Sequence, residues 1–310
     1  DSGQYYASLV VDWAKKIDYK KALGIGYNVL GTASKMQGNY PAAIDYFQKS
    51  IDIWIAKKDS MGLGATYANL GEVYRLKTDY PEALKYFLLS LRIDEALQYE
   101  IGIAYAYNYL GATYQELGDY TKALENFQAA LEIRLRLGLD AGIAAGYNNI
   151  GTIYADEGKF AEALENYKAS LAIKEKIDDR YGMANTYINI GDVYHKQGDQ
   201  QEAMKYFSLA LKLQEDLEDQ EGMAATYIAM AASRIATKQY AEASSLLTKV
   251  VSISKEIGSL YYLRDGYATF AHLDSITGNH KQGLEHYKLY VAARDSITNE
   301  ENTRKLVETQ

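Results

Sequence analysis

Seven tyrosines stand forty residues apart with no insertion between them: Tyr27, Tyr67, Tyr107, Tyr147, Tyr187, Tyr227 and Tyr267. So strict a period constrains the fold more than any other feature. Every unit must be the same supersecondary element and must seat its neighbour in the same way. Other columns keep the frame. Gly31, Gly71, Gly111, Gly151 and Gly191 follow the tyrosine by four residues, and Ala231 and Ala271 continue them. Ala43, Ala83, Ala123, Ala163, Ala203 and Ala243 form a second column, closed by Gly283. Phe47, Phe87, Phe127, Tyr167 and Phe207 form a third, closed by Leu247 and Tyr287.

Within one unit the spacing is helical. Tyr147, Ile150, Gly151 and Tyr154 fall at i, i+3, i+4 and i+7, one stripe of an α-helix. Ala163, Tyr167, Ser170 and Leu171 form a second stripe. Between them Gly158 suits the left-handed residue that ends a helix, as do Gly38, Gly118, Gly198 and Gly278. Thr78 and Lys238 take that place in two units, which predicts strained or differently built turns. Pro41 and Pro81 fit the start of the second helix, and Asn39, Asp79, Asp119 and Asp199 are placed to cap it. Each unit therefore reads as a helix hairpin. A glycine inside the first helix costs about 1 kcal/mol against alanine, so the column predicts close approach of the second helix near Ala123. Gly111→Leu should overpack that contact by about 1–3 kcal/mol.

NYLGATY at 108–114 and DYTKALENF at 119–127 carry a likeness to a known pattern. An aromatic, a Leu-Gly pair and a Tyr on the first helix precede an Ala and an aromatic on the second. This resembles the tetratricopeptide repeat (TPR) family, in a forty-residue version similar to that of bacterial signalling regulators. The resemblance implies an all-α fold, an α-α superhelix or solenoid of about seven helix hairpins over residues 21–297. Residues 1–20 align with a second helix alone, the half-repeat of a truncated unit, with Ala7 where Phe47 falls. Residues 298–310 read as a polar C-terminal helix or linker, similar to the segment that precedes output domains in bacterial sensors.

In the family the first helices line a concave groove. The residues a quarter turn or more from the core stripe are then groove candidates: Asn28, Arg75, Tyr105, Asn108, Gln115, Asn148, Asn185, Asp192 and His195, with Asn149 and Asn189 one residue on. An asparagine amide can hold both the C=O and the N–H of an extended peptide backbone. A single asparagine serves as readily to face water or to tie helices together; Asn108, Asn148, Asn149, Asn185 and Asn189 as a group read as a binding surface. Lys35 and Arg75 suit a carboxylate, and Tyr105 and Tyr109 are aromatics left over for the groove.

Other functions find little support. The net charge of −8 opposes nucleic-acid binding, and the chain has no cysteine for thiolate or zinc chemistry. No apolar run is long enough for direct insertion into a membrane. GIGYNVLG at 24–31 has the wrong spacing and setting for a dinucleotide loop. His195, His272, His280 and His286 form no zinc pattern, and Asp178 with Asp179 reads as a solubilising turn. No catalytic constellation, cofactor or metal site is expected. The expected function is a non-catalytic protein- or peptide-binding domain, the sensing or docking region of a bacterial signalling protein. The alternative is an architectural spacer or oligomerisation scaffold that self-associates through its terminal repeats. The compartment stays open between an extracytoplasmic sensor region and the cytoplasm.

Overall fold

A computed structural model describes residues 2–307, with side chains for residues 5–297. Among these are fifteen α-helices and no strand. After α1 (Ser2–Lys16), first and second helices alternate: α2 (Lys20–Met36), α3 (Tyr40–Lys57), α4 (Ser60–Leu76), α5 (Tyr80–Ala96), α6 (Glu100–Glu116), α7 (Tyr120–Leu137) and α8 (Asp140–Asp156). The series continues through α9 (Phe160–Lys176), α10 (Arg180–Gln197), α11 (Gln200–Asp216), α12 (Gln220–Ala236), α13 (Tyr240–Glu256), α14 (Leu260–Ile276) and α15 (His280–Val307). The chain forms two compact units, one ending at Gly146 and one running from Tyr147 to Val307. The segment 298–310 begins as a continuation of α15, which is one helix of 28 residues; its side chains and residues 308–310 lie outside the described residues.

The turns show a finer period than the sequence suggests. A residue with positive φ stands at every twentieth position from Asp18 to Gly278. At Gly118 (φ 75°) its N–H donates to the Gln115 carbonyl at 2.9 Å, and Asp119 N–H donates to the Tyr114 carbonyl at 2.9 Å, which satisfies the last carbonyls of α6. Thr78 (φ 59°) and Lys238 (φ 60°) adopt the same left-handed turn. They are built like their glycine counterparts, so any strain lies in the side chain. Side chains of Asn39, Asp79, Asp119 and Asp199 accept from the N–H three residues on, at 3.1–3.4 Å. Asp179 does the same for Gly182 at 2.9 Å, so it caps α10 rather than merely solubilising a turn.

The core follows the columns. Phe47, Phe87 and Phe207 are fully buried and Phe127 nearly so, each burial favouring the fold by about 1.5–3 kcal/mol. Each ring lies on a glycine of its own hairpin: a Cβ on Gly111 would meet the Phe127 ring at 2.8 Å, and one on Gly191 the Phe207 ring at 2.5 Å. The glycine thus makes room for the aromatic column rather than for Ala123 itself. Where the small residue is Ala231 its partner is Leu247, and where it is Ala271 the partner Tyr287 stands 53% exposed. The tyrosines at intervals of forty are half-buried, except Tyr227 and Tyr267, which are buried.

Candidate functional site

The first helices carry the candidate residues on one side, and many of them join one hairpin to the next. In the N-terminal unit Asn28 Nδ2 donates to Thr66 Oγ1 at 2.7 Å, and Asn28 Oδ1 accepts from Asn69 Nδ2 at 3.0 Å. In the C-terminal unit Asn148 Oδ1 accepts from Thr186 Oγ1 at 3.3 Å and from Asn189 Nδ2 at 3.2 Å. The two asparagine series are thus halves of one bridge, repeated at a separation of 41. The cations behave alike. Lys35 pairs with Glu72, and Arg75 Nη1 with Glu116 Oε1 at 2.5 Å. Their carboxylates come from the chain itself. Tyr109 is also occupied, stacked on Phe87 with ring centres 5.0 Å apart.

Other candidates stand differently. Asn185 and Tyr105 are exposed, while Asn108, Gln115 and Asn149 are half-buried. Asp192 is half-buried, and burial pushes its carboxyl up to about 6 against the pull of Lys196 and His195. His195 Nδ1 lies 2.8 Å from Gln200 Oε1 and faces a cleft of about 550 Å³ shared with His272, Ile235 and Thr269. No cluster of three or more potential metal ligands occurs among the described residues. Among the described residues no helix is long and apolar enough to cross a membrane.

A second cleft, of about 580 Å³, opens in the N-terminal unit. Tyr105, Ile101 and Ala104 of α6, Arg134 of α7, and residues 138–142 with Ala145 line it. Arg134 is only 6% exposed. Its Nη1 donates to Asn108 Oδ1 and to the Gly142 carbonyl, both at 3.2 Å, and its guanidinium lies 5.9 Å from the Tyr105 ring centre. Burial pushes the Arg134 pKa down.

Arg134 belongs to a column that reading only the first helices misses. Trp54, Asp94, Arg134, Lys174, Gln214 and Ser254 are all buried at the same place in successive second helices. A glycine of the next first helix lies against each of the first five: Gly62, Gly102, Gly142 and Gly222 through their Cα positions, and Gly182 through its carbonyl. Lys174 donates to the Gly182 carbonyl at 3.1 Å and to Thr186 Oγ1 at 2.7 Å. Six different side chains at one buried position of a strict repeat are a visible signal, because the packing there does not dictate the residue.

Comparison with known proteins bears on this fold. The profile of the tetratricopeptide repeat matches residues 23–96, 102–176 and 142–216. No curated protein matches the sequence. Among solved structures, the apo quorum sensor NprR from B. thuringiensis is 18% identical, with a TM-score of 0.75 over 92% of this chain and 80% of that one. Apo RapI is 19% identical, with a TM-score of 0.72 over 89% and 99%. The Rap conjugation gene regulator of plasmid pLS20, solved in complex with the Phr* peptide, is 16% identical, with a TM-score of 0.65 over 92% and 77%. At such identities the likeness is one of fold. The profile matches, extending over more than half of the sequence, place this chain in the tetratricopeptide repeat family.

Proposed function

We propose that the chain is a non-catalytic interaction domain that captures a peptide or an extended protein segment on the exposed side of its first helices, as the sensing or docking part of a signalling protein. The observation that carries this reading is the cleft beside Tyr105. It couples an aromatic that is 57% exposed to a buried guanidinium and apolar walls. Interaction surfaces concentrate binding energy in such anchors. The pLS20 regulator, similar in fold, was solved with a peptide, and the similar NprR is a quorum sensor. Screening the whole chain against a displayed peptide library tests the reading. Tyr105→Ala and Asn185→Ala, made separately at exposed positions, are expected to weaken capture with helicity unchanged. Retention of no peptide, or capture indifferent to both variants, rejects it.

A second reading, self-association, rests on the terminal helices. Tyr5, Tyr6 and Trp13 of α1, and Ile17 in the turn after it, are each more than 60% exposed. Light scattering that reports a monomer at every concentration rejects it.

A further inference from the structure

The start of each first helix presents unpaired N–H groups and a partial positive charge to the buried residue beneath it. The hairpins answer this in one of a few ways. Asp59, Asp179 and Asp219 accept from the N–H of Gly62, Gly182 and Gly222 at 2.9–3.0 Å. Where the column residue is the cation Lys174, burial pulls its pKa down and the charge of Asp179 works against that pull. At α6 the cap residue Tyr99 makes no side-chain bond, and the acid is the column residue itself: Asp94 lies against Gly102. At α14 the cap is Ser259, over Ser254.

At α8 the acid is missing from both places. The column residue is Arg134 and the residue before the helix is Leu139. Arg134 joins no ion pair among the described residues. Its Nη1 donates to two neutral oxygens, and the side chain lines the cleft. Asp140, in the first turn of α8, also lines the cleft. Arg134 thus meets the cavity as a buried cation whose bonds go to neutral oxygens, and a buried charge in that state calls for a partner. The downward pull of burial on the guanidinium agrees.

We propose that this cleft binds the side-chain carboxylate of an aspartate or glutamate in an acidic peptide, held by Arg134 and the Gly142 N–H, beside the Tyr105 ring. The ligand's carboxylate takes the place that Asp59, Asp179 and Asp219 fill in the sibling hairpins. Those precedents are side chains, which favours a side-chain carboxylate over a chain terminus. The inference rests on the peptide-binding reading and specifies what one part of that surface selects.

Three labelled eight-residue peptide libraries test it by fluorescence anisotropy on the whole chain. The first has a central aspartate and an amidated end, the second an asparagine there and an amidated end, the third that asparagine and a free terminal carboxylate. The aspartate library is expected to bind about tenfold more tightly than the asparagine amide, as a charge-assisted pair implies. Arg134→Gln, a residue the column already holds at Gln214, should erase that preference. Leu139→Asp should also erase it, by supplying the sibling cap, and should raise Tm. Equal binding of the two amidated libraries, or a preference that survives either variant, overturns the inference and leaves the peptide reading standing. A preference for the free terminus over the central aspartate overturns the side-chain assignment. Retention of none of the libraries removes the peptide reading, and this inference with it.

Discussion

Gly111→Ala tests the packing logic of the repeat. A Cβ at residue 111 would meet three carbons of the Phe127 ring at 2.8, 2.9 and 3.0 Å. Carbon contacts are most favourable from about 3.5 Å outward, so ring or helix must yield by roughly 0.5–0.7 Å. Overpacking a tight core costs about 1–3 kcal/mol, and replacing a mid-helix glycine by alanine stabilises by about 1 kcal/mol. The net expectation is a loss of about 1 kcal/mol. The chain itself supplies the control, because Ala231 and Leu247 are the same pair in another hairpin and both are fully buried. Phe127→Leu alone should cost about 1–2 kcal/mol through the space it leaves. In that background Gly111→Ala should become neutral or stabilise by up to about 1 kcal/mol, a coupling of about 1–2 kcal/mol. Urea unfolding of the four proteins, followed by circular dichroism and compared only where the m-values agree, measures the cycle. An equal effect of Gly111→Ala in both backgrounds, or a gain in the parent, would refute the claim that the ring dictates the glycine.

Three further outcomes are expected. Thr78 is β-branched and held at φ 59°, so Thr78→Gly should stabilise by about 1 kcal/mol, seen as a higher urea midpoint. The folded Asp192 carboxyl, pushed up to about 6, binds more protons than the unfolded chain between about pH 4 and 6. Stability from this residue is therefore present at low pH and lost as pH rises through 6; Asp192→Asn should raise stability at pH 7 by about 1–2 kcal/mol and change little at pH 4, as unfolding at the two pH values would reveal. The Trp54 ring lies against Gly24 and Gly62 while its Nε1 has no hydrogen-bond partner. Trp54→Phe should thus cost far less than the roughly 3–5 kcal/mol of Trp54→Ala by thermal melts.

How much of this molecule was legible in its sequence depends on whether packing or pairing fixed the residue. The hairpins could be read because Gly111 and Phe127 make one contact that recurs, glycine against an aromatic ring, in five units, and recurrence is visible without coordinates. The left-handed turns were half legible: Gly38 and Gly118 announce them, while Asp18, Lys58 and Gln98 adopt the same conformation with no glycine to mark it. There the hydrogen bonds that close the helix impose a shape that local preference opposes. The asparagines were recognised as a group, yet the identity of their partners is three-dimensional. Asn28 with Asn69, and Asn148 with Asn189, use amide groups to lock hairpins together, so chemistry that suits a peptide backbone is partly spent inside the fold. Arg134 stayed hidden for the opposite reason. A search for constant columns passes over the one buried column that changes in every unit, and an arginine on a second helix reads as a solvated charge. In a repeat that enforces its core so strictly, a buried position free to be Trp, Asp, Arg, Lys, Gln or Ser is held by local pairing rather than by the common packing. Of these six, Arg134 is the cation whose bonds go to neutral oxygens, Asn108 Oδ1 and the Gly142 carbonyl, which makes it the member of the column that the proposed ligand would address.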